Sequence, residues 1–257
     1  MEVAAEVAVD SAPVDDTEPV EVDATALRLE ALPETLAEVH GRTPVGTAVT
    51  LLLPGDSVWA EERIADVVIG AGFAPGALVE RAERSSMTMT RQLTLADRVA
   101  AGMRVLMCGL NPSVYSAEVG IGFARPGNRF WPAALAAGLV ERDRDPTDAL
   151  RRHGIGMTDL VKRPTPRADA LSAEEYRAGL ARVTRLVEWL HPPVVCFVGL
   201  SGWRAAADRK AVAGWQPDRL GGTTVYVMPS TSGLNAHTSL AELTEHLRAA
   251  TSDEPDR

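Results

Sequence analysis

Three stretches of this sequence, 109–127, 199–202 and 229–238, are rich in Gly, Ser, Asn and Pro and carry side chains able to do chemistry. In GLNPSVYSAEVGIGFARPGNRFW, Asn111 follows an apolar run, and Pro112 stiffens the chain behind it. A carboxamide there can hold a water through its oxygen or grip a carbonyl through its NH2. It can equally stabilise its own turn. Phe123 lies in a glycine- and proline-punctuated stretch, as a core residue or as a platform for stacking a flat ring. Asn128 reads as the cap of the helix that contains Phe130 and Trp131. In VMPSTSGLNAHTSL, Ser230, Thr231 and Ser232 offer hydroxyls and amides at the mouth of the closing helix, a natural phosphate site. Gly233 lets the backbone approach a partner closely. Leu234 is a lone large apolar residue on a polar loop, which a staple onto the following helix would explain. His237 is either a helix-start histidine or an acid or hydrogen-bond donor.

The elements that must position these loops follow a regular pattern. MRVLMCGL, PVVCFVGL and TTVYVMP are short apolar runs without alternation. Each leads toward a helical segment: GNRFWPAALAAGL, SGWRAAADR and TSLAELTEHLRAA. SAEEYRAGLARVTRLVEWL adds a long amphipathic helix with Ser172 as N-cap and Glu175 three residues on. Such strands predict a parallel α/β sheet covered on both faces. Ligands of these sheets bind at the carboxyl ends of the strands, where the three loops emerge.

Residues 25–100 predict a small α+β accessory segment. ALRLEALPETLAEVH can form a short helix and TAVTLLLP a buried strand. SVWAEERIADVVIGAGF gives a helix with a glycine stop, and GALVERAER with MTMTRQLTL a hairpin turning at Ser85 and Ser86. Residues 1–24 lack leucine and aromatics, and predict a disordered acidic leader. Residues 251–257 read as a tail.

Hydrophobic residues make up 46% of the 257-residue chain, enough for a real core. Two cysteines inside apolar runs, Cys108 and Cys196, exclude a disulfide framework. No apolar run reaches the roughly 20 residues of a membrane span, and the acidic N-terminus is no signal peptide. A soluble, cytoplasmic protein is expected. The net charge of -9 belongs to the front: residues 1–40 hold 11 acidic side chains and only Arg28 as a base. The remainder is nearly neutral, which neither excludes nor demands a polyanionic partner. No Cys/His cluster has metal-ligand spacing, so no metal and no cofactor are expected.

Taken together, GLNP, FARPGNRFWPAALAAGL, GMTDLVKRPT and VMPSTSGLNAHTSL resemble, in order and spacing, the uracil-DNA glycosylase superfamily, in particular its mismatch-specific uracil/thymine branch. The resemblance covers about residues 103–250. It implies a three-layer parallel-sheet domain over 101–250 acting on double-stranded DNA that carries uracil or a mismatched base. The target nucleotide is flipped out, its N-glycosidic bond is hydrolysed, and base excision repair begins. The water-positioning asparagine of the family matches Asn111, the stacking aromatic Phe123 and a pocket residue Ser116. Leu110 falls on the pocket wall. The intercalating wedge matches Ser232, Gly233 and Leu234. Ser230, His237 and Ser201 then fall where DNA contacts are made. A monomer is implied, associated with the nucleoid if the chain is bacterial.

An amide at 111 can only orient water, whereas the aspartate of the most active relatives can act as a base or stabilise an oxocarbenium ion. A slow enzyme follows, one that leans on a good leaving group. Of the two lysines only Lys162 flanks a matched loop, and a Schiff-base lyase needs a pocket amine, so a monofunctional glycosylase is expected. Asp159 departs from the family pattern, where lysine or asparagine is usual. It can hydrogen-bond a base NH, supply the missing negative charge, or cap locally. The wedge loop is one residue longer than in bacterial mismatch enzymes and brings His237 to where uracil-specific families have an active histidine. Residues 47–99 resemble the last strand, helix and hairpin of a methyltransferase-like fold without its glycine-rich cofactor loop. A chain starting near residue 98 is therefore expected to keep activity. The competing readings are a catalytically silent α/β module binding DNA or nucleotides, and a methyltransferase-linked fusion whose N-terminal part docks a partner.

Overall fold

The computed structural model describes residues 20–55 and 59–252. Its N-terminal unit is built on β1 (Val20–Asp23), α1 (Leu32–Arg42), β2 (Ala48–Pro54), α2 (Glu61–Gly70), β3 (Phe73–Val79) and β4 (Arg84–Arg91). The sheet order is β1-β2-β4-β3, with β1 parallel to β2 and the other pairs antiparallel. Val49, Leu51 and Leu53 of β2 and Met87 and Met89 of β4 alternate onto one face. There they form a core with Leu32, Leu36 and Val39 of α1 and Ile64 and Val68 of α2.

Two boundaries differ from expectation. The acidic leader does not extend to residue 24: Val20–Asp23 is a strand, and Val22 and Ala24 are buried in that core. Pairing with β2 supplies the ladder bonds and apolar contact that the segment could not supply alone. Residues 1–19 lie outside the described residues. The hairpin turns over 80–83, while Ser85 and Ser86 pair within β4 with Leu53 and Leu52. Small polar residues mimic a turn, but register is set by the apolar alternation of Met87 and Met89. Of the tail, Thr251 closes the last helix, and residues 253–257 lie outside the described residues.

The second sheet contains β5 (Val105–Gly109), β6 (Ile155–Asp159), β7 (Val194–Val198), β8 (Gly214–Trp215) and β9 (Thr224–Met228) in the order β6-β5-β7-β9-β8. The first four in that order are parallel, and β8 is an antiparallel edge. Helices α3 (Val114–Val119), α4 (Phe130–Ala136), α5 (Pro146–His153), α6 (Ala173–Leu190), α7 (Leu200–Ala206) and α8 (Leu240–Thr251) surround it. Val105, Met107, Cys196 and Met228 face α4 and α8. Leu106, Val195, Phe197 and Val227 face α6 and α7. This is the expected α/β fold, parallel strands with helices on both faces. Both thiols are buried in it. Strand β6, helix α5 and the β8 edge were not legible as elements. IGMTD lacks the Val/Leu run that marks the other strands, and its identity comes from pairing beside β5.

Candidate active site

The loops after β5, β6, β7 and β9 meet over a cleft of about 390 Å³. Its walls include Leu110, Asn111, Ser116, Phe123, Asp159, Ser201, Ser230, Ser232 and Leu234. Most of the residues singled out in the sequence are thus brought to one place, Asn128 and Thr231 with them. Gly233 lies in the same loop without lining the cleft, and His237 is exposed beyond it.

Asn111 is held by the loop that leaves β6. Its Nδ2 donates to the Arg163 carbonyl at 3.0 Å, the Thr165 hydroxyl at 2.8 Å and the Pro112 carbonyl at 3.2 Å. Carbonyls only accept, so the NH2 must face them and Oδ1 is the atom left over. A fixed carboxamide oxygen on a cleft wall can accept from, and so orient, a water.

Phe123 adopts φ 58°, a left-handed backbone that is rare for an aromatic residue. One ring face stacks on Phe130 with centroids 4.1 Å apart and planes at 17°. Trp131 braces the same loop through Nε1 to the Gly122 carbonyl at 2.8 Å. Asn128 accepts from the Phe130 amide at 2.9 Å, but the N-cap position of α4 is Arg129, so Asn128 braces the turn that enters the helix and is not its cap as expected. Ser116 is buried, and its hydroxyl accepts from Ser113 at 3.0 Å.

Asp159 ends β6 on the cleft floor. A Cβ at Gly109 would lie 2.6 Å from its Oδ1 and 3.4 Å from Phe123 Cζ, so a larger residue there would have to displace the carboxylate from beside the ring. Burial pushes its carboxyl up to about 6. Lys162 pulls it down, Asp97 adds to the rise, and Arg182 opposes it. An unfolded chain loses this proton near pH ~3.9. Between about pH 4 and 6 the folded protein keeps a proton that the unfolded chain has lost, so stability falls as pH rises through that window. Asp159→Asn removes this titration. Its stability relative to wild type should improve by about 1–3 kcal/mol between pH 4 and pH 7. Denaturant melts across that range check it; a difference flat with pH would mean an ordinary carboxylate.

The wedge loop is set differently from the sequence reading. Ser230 and Ser232 hydroxyls accept from the amides of Ser232 and Leu234, and Asn235 ties the loop to the Ser230 carbonyl and the Thr238 hydroxyl. The mouth of α8 lies further on, at Ser239, where the Glu242 carboxylate already fills it as a capping box. The phosphate site expected at that helix start is therefore occupied by the chain itself. Gly233 packs against its own molecule: a Cβ there would lie 2.8 Å from the Gly127 carbonyl. Leu234 is not stapled to α8 but 83% exposed. The His237 amide donates to Asn235 Oδ1 at 3.2 Å.

Sequence reasoning missed the residues that hold these groups. Arg129 binds the wedge loop from below, donating to the carbonyls of Asn235 at 2.5 Å and of Thr238, while its amide donates to Thr231. Thr165 locks Asn111. Arg125 is exposed on the cleft rim, with no ion-pair partner among the described residues. The motif GNRFW contained the signal for Arg129, but an arginine's partners are set by tertiary approach.

Among the described residues no helix is long and apolar enough to cross a membrane, and no group of His, Cys, Asp and Glu is placed to hold a metal ion. The family model of the uracil DNA glycosylase superfamily matches residues 96–253, which take in β5 to α8 and every cleft loop. With that match over more than half of its length, the chain belongs to the uracil DNA glycosylase superfamily.

Proposed function

We propose that this protein is a monofunctional DNA glycosylase of the mismatch-specific kind, which hydrolyses the N-glycosidic bond of uracil, mismatched thymine or damaged pyrimidines in duplex DNA. The observation that carries this reading is the Asn111 amide, pinned by three acceptors with its carbonyl oxygen left for a water. The base enters between Phe123 and the cleft wall. The oriented water adds at the anomeric carbon as the base departs, which leaves an abasic site. Asp159 meets the base edge. A carboxylate accepts the imide N–H of uracil or thymine and repels the N3 lone pair of cytosine, which favours imide bases. Lys162 does not line the cleft, and its Nζ is bound to Asp97 at 2.8 Å, which favours hydrolysis over Schiff-base chemistry.

The deciding experiment is abasic-site formation on duplexes with G·U, A·U and G·T pairs, with strand breaks appearing only after alkali. Abasic sites on none of them would leave a catalytically silent binding module. Phe123→Ala should weaken complexes with an uncleavable uracil duplex by about 1–3 kcal/mol, the usual worth of one base–aromatic stack. Titration by fluorescence anisotropy measures it, and affinity equal to wild type would remove Phe123 as the platform.

A further inference from the structure

The segment that joins the N-terminal unit to β5 lines the cleft through Leu95 and carries buried polar groups on either side of it. Thr94 and Asp97 lie on that segment and are buried, each 3% exposed. The Thr94 hydroxyl donates to the Lys162 carbonyl. The Asp97 carboxylate accepts from Lys162 Nζ at 2.8 Å, Thr158 Oγ1 at 2.7 Å and Arg182 Nη1 at 2.8 Å. Arg182 Nη2 also donates to Thr158 Oγ1 and to the Asp159 carbonyl, at 2.9 and 2.8 Å. The Asp97 amide is tied in turn to the Gly70 carbonyl at the end of α2, at 2.8 Å.

Lys162 is thus gripped at both ends, by its carbonyl and by its ammonium. The next carbonyl along, that of Arg163, and the Thr165 hydroxyl are the groups that hold Asn111. Other bonds tie this loop to the exit of β5: Leu160 to Gly109, Val161 to Leu110 and Thr165 to Pro112. Those bonds fix where the loop starts and where it passes Pro112. The Thr94 and Asp97 contacts add a further hold at Lys162. The loop is therefore tied both to the joining segment and to the strand that presents Asn111.

We infer that Thr94 and Asp97 are positioning residues of the glycosylase site, which hold Lys162 so that Arg163 and Thr165 keep the Asn111 amide oriented. The inference rests on the reading of Asn111 as the water-orienting group. It makes the segment that joins the N-terminal unit to β5 part of the site, against the expectation that a chain starting near residue 98 suffices. A displacement of about 1 Å in a reacting constellation can lower a rate by 10²-fold, so loss of one tether should be visible in the chemical step.

The test uses the full chain and single-turnover excision of uracil at saturating enzyme, where amplitude reports the folded fraction and the rate constant reports the site. Thr94→Val should lower the rate constant about tenfold, leave affinity for an uncleavable uracil duplex unchanged, and be rescued to within about twofold by Thr94→Ser. In an Asn111→Ala background the same substitution should cost nothing further, because it acts through Asn111. Asp97→Asn should behave like Thr94→Val in both backgrounds, which guards against one variant failing to fold. An unchanged rate constant for both variants, an equal loss in the Asn111→Ala background, or no rescue by serine would overturn the inference. Failure of the Asn111 reading is distinguishable, because Asn111→Ala alone would then excise at the wild-type rate.

Discussion

Asn111→Ala should lower the single-turnover excision rate by about 10²-fold or more while the fold is retained, the result expected of a residue proposed to orient the attacking water. The side chain is held through Arg163, Thr165 and Pro112, and is left with only its carbonyl oxygen to offer. Alanine removes that oxygen and leaves Phe123 and Leu234 in place. Binding of an uncleavable duplex should therefore change little, and the loss should fall on the rate constant. Asn111→Asp is informative in the opposite sense. A carboxylate could serve as a base, but here it would face the carbonyls of Arg163 and Pro112 at 3.0 and 3.2 Å. Two acceptors opposite an acceptor repel, so the aspartate must hold a proton or leave its seat. This variant should not exceed wild type at neutral pH. Rapid-quench assays of both variants give the answer, and an Asn111→Ala rate equal to wild type would remove that residue from the chemistry.

Leu234→Ala separates duplex from single-stranded substrate. Unpairing and extruding a base costs a few kcal/mol and leaves a hole, which an apolar wedge can fill. Leu234 is 83% exposed on a loop stiffened by Arg129, Asn235 and its own serine hydroxyls. A large apolar side chain held in water by a rigid loop gains by insertion. Excision from A·U should fall most, about 5- to 30-fold for a wedge worth 1–2 kcal/mol. G·U should lose less, since a mismatch is already partly open. Single-stranded uracil should be nearly unaffected, since no hole forms. The comparison is of single-turnover rates on the three substrates, wild type against variant. Equal losses on all three would mean that Leu234 acts through loop stability.

The parallel α/β sheet is legible in the residues alone, because runs such as RVLMCGL and VVCFVGL, apolar without alternation, are stable only when covered on both faces. So is the capping of α6, where Ser172 and Glu175 stand at the right spacing, and so is the gathering of most site residues, since loops after parallel strands share one edge. The partners of those residues were decided only by tertiary structure. That the Asn111 amide shows the cleft its oxygen depends on a carbonyl 52 residues away. That Gly233 is needed depends on the approach of Gly127, and that Asp159 titrates near 6 depends on its burial. The leader's last residues became β1 because β2 was there to pair with them. Periodicity and local spacing report what a segment does with its own neighbours. The direction of a hydrogen bond, the desolvation of a charge and the room for a Cβ are set by groups that folding brings together from far along the chain.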